Sequence, residues 1–70
     1  MHSWYAILGP NNEWGLPKPA YPVQTDEASI ADLAWTVAQV EGVAYVMQHH
    51  PAAGWHFLKA FRRGEPRPPQ

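Results

Sequence analysis

Residues 25–42 read TDEASIADLAWTVAQVEG, and how this stretch folds decides the architecture. Thr25 is a side-chain cap for a helix start, and Asp26 and Glu27 put negative charge in a first turn where the helix dipole favours it. Gly42 is placed to end the helix. The punctuation predicts a helix over 26–41. At about 100° per residue, Ile30, Leu33, Ala34, Val37 and Val40 form one apolar stripe for packing on a sheet. Trp35 then falls nearly opposite, among Ala28, Ala31 and Ala38, where an ordinary surface helix carries Lys, Glu or Gln. Two expectations follow from that outward Trp. Either the Pro-rich segment before the helix folds over it, with Trp14, Leu16 or Tyr21 stacking on Trp35, or Trp35, Ala31 and Ala38 form an anchor site for a partner.

On both sides of the helix the sequence turns strand-like. SWYAILG is an apolar, β-favouring run closed by Gly9 and Pro10, which predicts a central strand over 3–8. Residues 10–24 hold Pro10, Pro17, Pro19 and Pro22, which forbid a helix and leave room for a short edge strand around Ala20 to Gln24 within a surface loop. Beyond Gly42, VAYVMQHH, PAAG and WHFLKAF read as strand, loop and strand, an antiparallel hairpin over 43–61. In its second strand Trp55, Phe57, Lys59 and Phe61 alternate onto one face, with His56, Leu58 and Ala60 on the other. Were the aromatic face turned inward it would fill the core, the expectation here; turned outward, it would be an aromatic and basic platform. The tail RRGEPRPPQ, 62–70, reads as flexible, basic and extended. The fold class expected is α+β: residues 1–61 form a single two-layer β-(β)-α-β-β domain, one helix on a three- or four-stranded, mainly antiparallel sheet.

With 70 residues the chain buries only about 60% of the surface that its unfolded form exposes, so the core is marginal. A hydrophobic share of 46% against 16% charged is too apolar for disorder throughout. There is no cysteine for a disulfide or a thiolate metal site. MHSWYAILGP offers no basic leader or secretory signal, and no stretch approaches the roughly 20 apolar residues that span a bilayer, so a soluble, cytoplasmic protein with no membrane contact is expected. A net charge of -1 hides an uneven layout. Glu13, Asp26, Glu27, Asp32 and Glu41 face only Lys18 in the first part, while Lys59, Arg62, Arg63 and Arg67 crowd the end against Glu65.

Little of this chain suggests catalysis or a cofactor. His49 and His50, adjacent on a strand, point to opposite faces and cannot share an ion; His49 and His56 could face each other across the hairpin, but no third ligand is evident, so no metal is expected. Ser3, Ser29, Thr25 and Thr36 sit in no nucleophile elbow, and no Gly-rich phosphate loop exists, which argues against an enzyme. KAFRRGEPR mixes basic and aromatic residues as single-stranded nucleic-acid binders do, yet the RNP-type pattern is missing. Arg63, Pro66 and Pro69 have the spacing of a polyproline-II ligand, read here as a spacer.

In order and residue type, SWYAIL, AYPVQTDEASIADLAW and PAAGWHFLKAF with its following arginines resemble the small podophage-encoded inhibitor of bacterial RNA polymerase. The resemblance implies a non-enzymatic protein that docks on the polymerase jaw and blocks promoter opening through basic side chains of its last strand. By position Lys59 falls where such a contact is expected; Phe61 takes the next place, followed by Arg62 and Arg63, and VEGVAYVMQHH adds a strand. The function expected is a small binder that occludes a surface of a larger host protein complex, with Trp35, Ala31, Ala38, Lys59, Arg62 and Arg63 as contact residues. A single-stranded nucleic-acid binder and a homodimeric accessory subunit are the alternatives.

Overall fold

A computed structural model describes residues 3–10 and 22–69. The elements follow the order β1 (Ser3–Leu8), β2 (Val23–Thr25), α1 (Glu27–Glu41), β3 (Val43–His50) and β4 (Gly54–Arg62). The four strands form one sheet in the order β2-β1-β3-β4 with every pairing antiparallel, and α1 packs on one face. The α+β class, the central position of the first strand and the hairpin are therefore as expected.

The helix start differs in detail. Asp26 is the N-cap, with extended backbone, and its carboxylate accepts the Ser29 N–H at 2.7 Å. Thr25 pairs with Ser3 as the last residue of β2, so the edge strand ends one residue closer to the helix than expected and the cap falls on the next residue. The helix ends at Gly42: its N–H still makes the helical bond to the Ala38 carbonyl at 2.8 Å, and its φ of +99°, a backbone state that a side chain would strain, turns the chain out of the helix.

The buried helix stripe is Ile30, Ala31, Ala34 and Ala38, whereas Leu33 is 47% exposed and Val40 73%. The helix is thus rotated from the position that the Ile30–Leu33–Val37–Val40 stripe predicts. The sheet explains the rotation. Its helix-facing side carries Tyr5, Val46 and Phe61, and alanines on the opposing helix surface leave room for these large rings at close approach. Ile7, Trp35, Val37 and Leu58 close the rim of the cluster.

β4 does not alternate through its whole length. Val46 pairs with Lys59 but the next residue, Met47, pairs with Phe57, so Leu58 is an extra residue, a β-bulge. Because a one-residue slip exchanges the two faces, the expected run of Trp55, Phe57, Lys59 and Phe61 on one side is broken. Lys59 and Phe61 lie on the helix side opposite Val46 and Ala44. Trp55 and Phe57 lie on the outer side opposite His49 and Met47. The aromatic core expected of this strand reduces to Phe61.

Candidate binding surfaces

Trp35 is covered by the end of the chain. Residues 62–67 do not hang free: they run back along α1, antiparallel to it. Gln39 amide Nε2 donates to the Arg62 carbonyl at 3.4 Å, while its Oε1 accepts the Gly64 N–H at 3.0 Å. One turn earlier on the helix, the Trp35 indole N–H donates to the Glu65 carbonyl at 2.7 Å. Another turn earlier, Arg67 grips Asp32 with two bonds, Nε to Oδ1 at 2.6 Å and Nη2 to Oδ2 at 3.1 Å. The guanidinium also lies over the Trp35 ring, 5.6 Å from its centroid. The hydrogen bond to Asp32, and then its charge, raise the pKa of Arg67 from its ordinary value.

The turn that starts this return is encoded locally. Glu65 N–H donates to the Arg62 carbonyl at 3.2 Å, Gly64 adopts φ +91° at the third turn position, and the Glu65 carboxylate accepts the Arg62 N–H at 3.0 Å. Arg63, at the turn's second position, completes the helix from outside. The last turn of α1 has no basic residue of its own, and Arg63 donates from Nε to the Gln39 carbonyl at 3.1 Å and from Nη2 to the Val40 carbonyl at 2.9 Å. These are among the carbonyls that a helix end leaves unpaired, at its partially negative pole.

Of the expected contact residues, Ala31 and Ala38 are buried beneath the helix and cannot meet a partner. The alternative expectation, a cover made by Trp14, Leu16 or Tyr21, falls on residues outside the described ones; every described hydrogen bond and ring contact of the Trp35 indole is with the tail. Lys59 places its ammonium 5.6 Å from the Phe61 ring centroid on the helix side. Arg63 is engaged at the helix end, which leaves Arg62 as the one basic side chain of the last strand and tail with no side-chain bond or ring contact among the described residues. Asp32, Gln39, Glu65 and Arg67 are not among the contact residues expected from the sequence, although the spacing of Asp32, Trp35 and Gln39 puts all three on one helix stripe.

The second surface is the sheet face turned away from the helix. Trp4 and Phe57 are 45% and 46% exposed there, and Trp55 meets His49 edge to face at 5.1 Å between ring centroids. Ala6, Leu8, Val43 and Met47 share this face and are buried. Arg62, opposite Val43, is the single formal charge among the described strand residues of this face. His49 and His56 lie on opposite faces, because His49 pairs with Trp55 and His56 with Gln48, so the expected approach of these two across the hairpin does not occur. His50 and His56 share a face with ring centroids 6.3 Å apart, but His50 Nδ1 accepts the Ala52 N–H at 3.3 Å and serves the turn. Among the described residues no three His, Cys, Asp or Glu side chains gather in a way that could hold a metal ion, and no helix is long and apolar enough to cross a membrane. Compared with protein-family models, curated proteins and solved structures, the chain matches none.

Proposed function

We propose that this chain is a protein-binding module, acting by occlusion and not by catalysis, that meets a larger complex through the sheet face away from its helix. One observation supports this reading: Trp4 and Phe57, two large apolar side chains nearly half exposed, flank the Trp55–His49 pair on a face with a single formal charge. Clustered aromatics on a largely uncharged surface are the residues that carry binding energy at interfaces. The helix supplies no comparable aromatic surface: Ala31, Ala34 and Ala38 are internal, Trp35 is occupied, and the exposed large apolar side chains it carries, Leu33 and Val40, are aliphatic.

Bacterial RNA polymerase, the target implied by the sequence resemblance, is the first partner to try. Tagged chain is incubated with the purified polymerase, comparing wild type, Phe57→Ala and Val40→Gln, each checked for folding by circular dichroism. Capture should fall about tenfold or more with Phe57→Ala and persist with Val40→Gln. Equal capture by all three would refute the sheet face. The aromatic face also favours a second reading, a single-strand nucleic-acid platform, although Arg63 and Arg67 are engaged on the helix. Affinity for an oligothymidine that falls steeply with salt and depends on Trp55 would establish it. A homodimer through the same face would appear as twice the chain mass in solution.

A further inference from the structure

The geometry points to a peptide-recognition site on the helix stripe Asp32–Trp35–Gln39, specific for an extended segment with an arginine following a proline, and held shut in this chain by residues 64–67. The site is separate from the sheet face proposed above.

Three side chains on successive turns of one helix treat the tail as a ligand. Gln39 accepts a backbone N–H of the segment, that of Gly64, with its amide oxygen at 3.0 Å, while its amide nitrogen is held by the Arg62 carbonyl at the end of β4, at 3.4 Å. Trp35 gives its indole N–H to the Glu65 carbonyl at 2.7 Å and its ring face to the arginine. Asp32 receives that arginine through two parallel bonds, a fork that lysine cannot reproduce. Two of the three residues therefore read main chain and one reads a side chain, the division of labour found where extended peptides are bound.

The occupant is suited to such a site. Pro66, Pro68 and Pro69 fix φ and push the residues before them into extended backbone, so the segment from Glu65 onward is ordered before it docks. No residue from Glu65 to Pro69 is in a helix or strand. The bonds that hold it are nearly all exposed, and the tail brings no large apolar side chain to the helix. Exposed ionic and hydrogen-bonded contacts are exchangeable ones. In this chain the tail wins by tethering: β4 ends at Arg62, two residues before Gly64, and so short a link keeps the local concentration of the segment high. The same tether argues against exchange with a second copy, because the Arg63 N–H is bonded to the Gly42 carbonyl at 2.9 Å and the tail cannot leave its own helix far behind. The ligand in trans is accordingly an arginine- and proline-bearing segment of another protein.

The test uses the full chain, labelled with nitrogen-15, as wild type and as Arg67→Ala. The Trp35 indole N–H resonance, assigned by its loss in Trp35→Phe, is followed while the free peptide GEPRPPQ is added. Observed affinity equals intrinsic affinity reduced by the fraction of open sites, so a tail that fills nine-tenths or more of its sites makes binding about tenfold weaker or worse. Arg67→Ala should therefore bind the peptide saturably and about tenfold or more tightly than wild type, and the same peptide with its arginine changed to alanine should not saturate. The proposal is overturned if GEPRPPQ leaves the Trp35 resonance of Arg67→Ala unmoved at millimolar concentration, if both chains bind it equally, or if the arginine-free peptide binds as well.

Discussion

Substituting Ala38→Leu tests the orientation of the helix, on which both candidate surfaces depend. Ala38 is 0% exposed and belongs to the cluster with Tyr5, Val46 and Phe61. A leucine there adds three carbons where the helix already touches the sheet, and overpacking of this kind costs about 1–3 kcal/mol. Intrinsic helix propensity offsets almost none of it, because Leu and Ala are both good helix formers. Total stability for 70 residues is on the order of 4–10 kcal/mol, so the change removes a large share of it. Urea unfolding followed by circular dichroism is the assay. With a slope of about 1 kcal/mol per molar urea for so small a chain, the midpoint should fall by roughly 1–3 M. Val40→Gln is the control: Val40 is 73% exposed, and the change should stay within about 0.5 kcal/mol. An outward alanine face requires the reverse pattern, with Ala38→Leu harmless and Val40→Gln costly, and that result would refute the helix rotation and the burial of Ala31 and Ala38 with it.

Two local features are open to the same assay. Gly42→Ala should cost about 1–2 kcal/mol, because φ +99° is a left-handed state that a Cβ strains even with open space around it; an unchanged midpoint would mean that the helix ends otherwise. Asp26→Ala removes the carboxylate that accepts the Ser29 N–H and should cost about 0.5–2 kcal/mol, while Thr25→Ala, in the position first read as the cap, should cost less.

The elements were legible where the signal is local. SWYAIL closed by Gly9 and Pro10, the stop at Gly42 and the PAAG loop each fix an element boundary without help from distant residues, and β1, α1 and the hairpin lie where these signals put them. The face of the helix was not legible in that way. Leu33 and Val40 are more apolar than Ala31 and Ala38, so a wheel weighted by hydrophobicity turns toward them. What decides the rotation is shape: the alanine side fits Tyr5 and Phe61, and the neighbouring stripe of Asp32, Trp35 and Gln39 is filled by a segment 25 or more residues further along the chain. The tail escaped notice for a related reason. Its composition, rich in proline and charge, describes a segment that cannot build a core of its own, and that is compatible with docking on a core built elsewhere.

The bulge at Leu58 links these outcomes. With strict alternation Trp55, Phe57, Lys59 and Phe61 would share a face, and three aromatic rings would compete for the space beneath a helix whose buried side is mostly alanine. One extra residue divides them. Phe61 enters the core opposite Ala44, where two alanine-lined surfaces leave room for a single ring. Trp55 and Phe57 are delivered to the outer face, where Phe57 remains 46% exposed. Arg62 lies on the outer side as β4 ends, and the turn that it begins puts Arg63 beside the helix terminus and starts the tail along α1 at Gln39. A core small enough for 70 residues and an aromatic outer face thus both depend on the register of one strand, which no periodicity in WHFLKAF reveals because the extra residue is itself a leucine that fits either pattern.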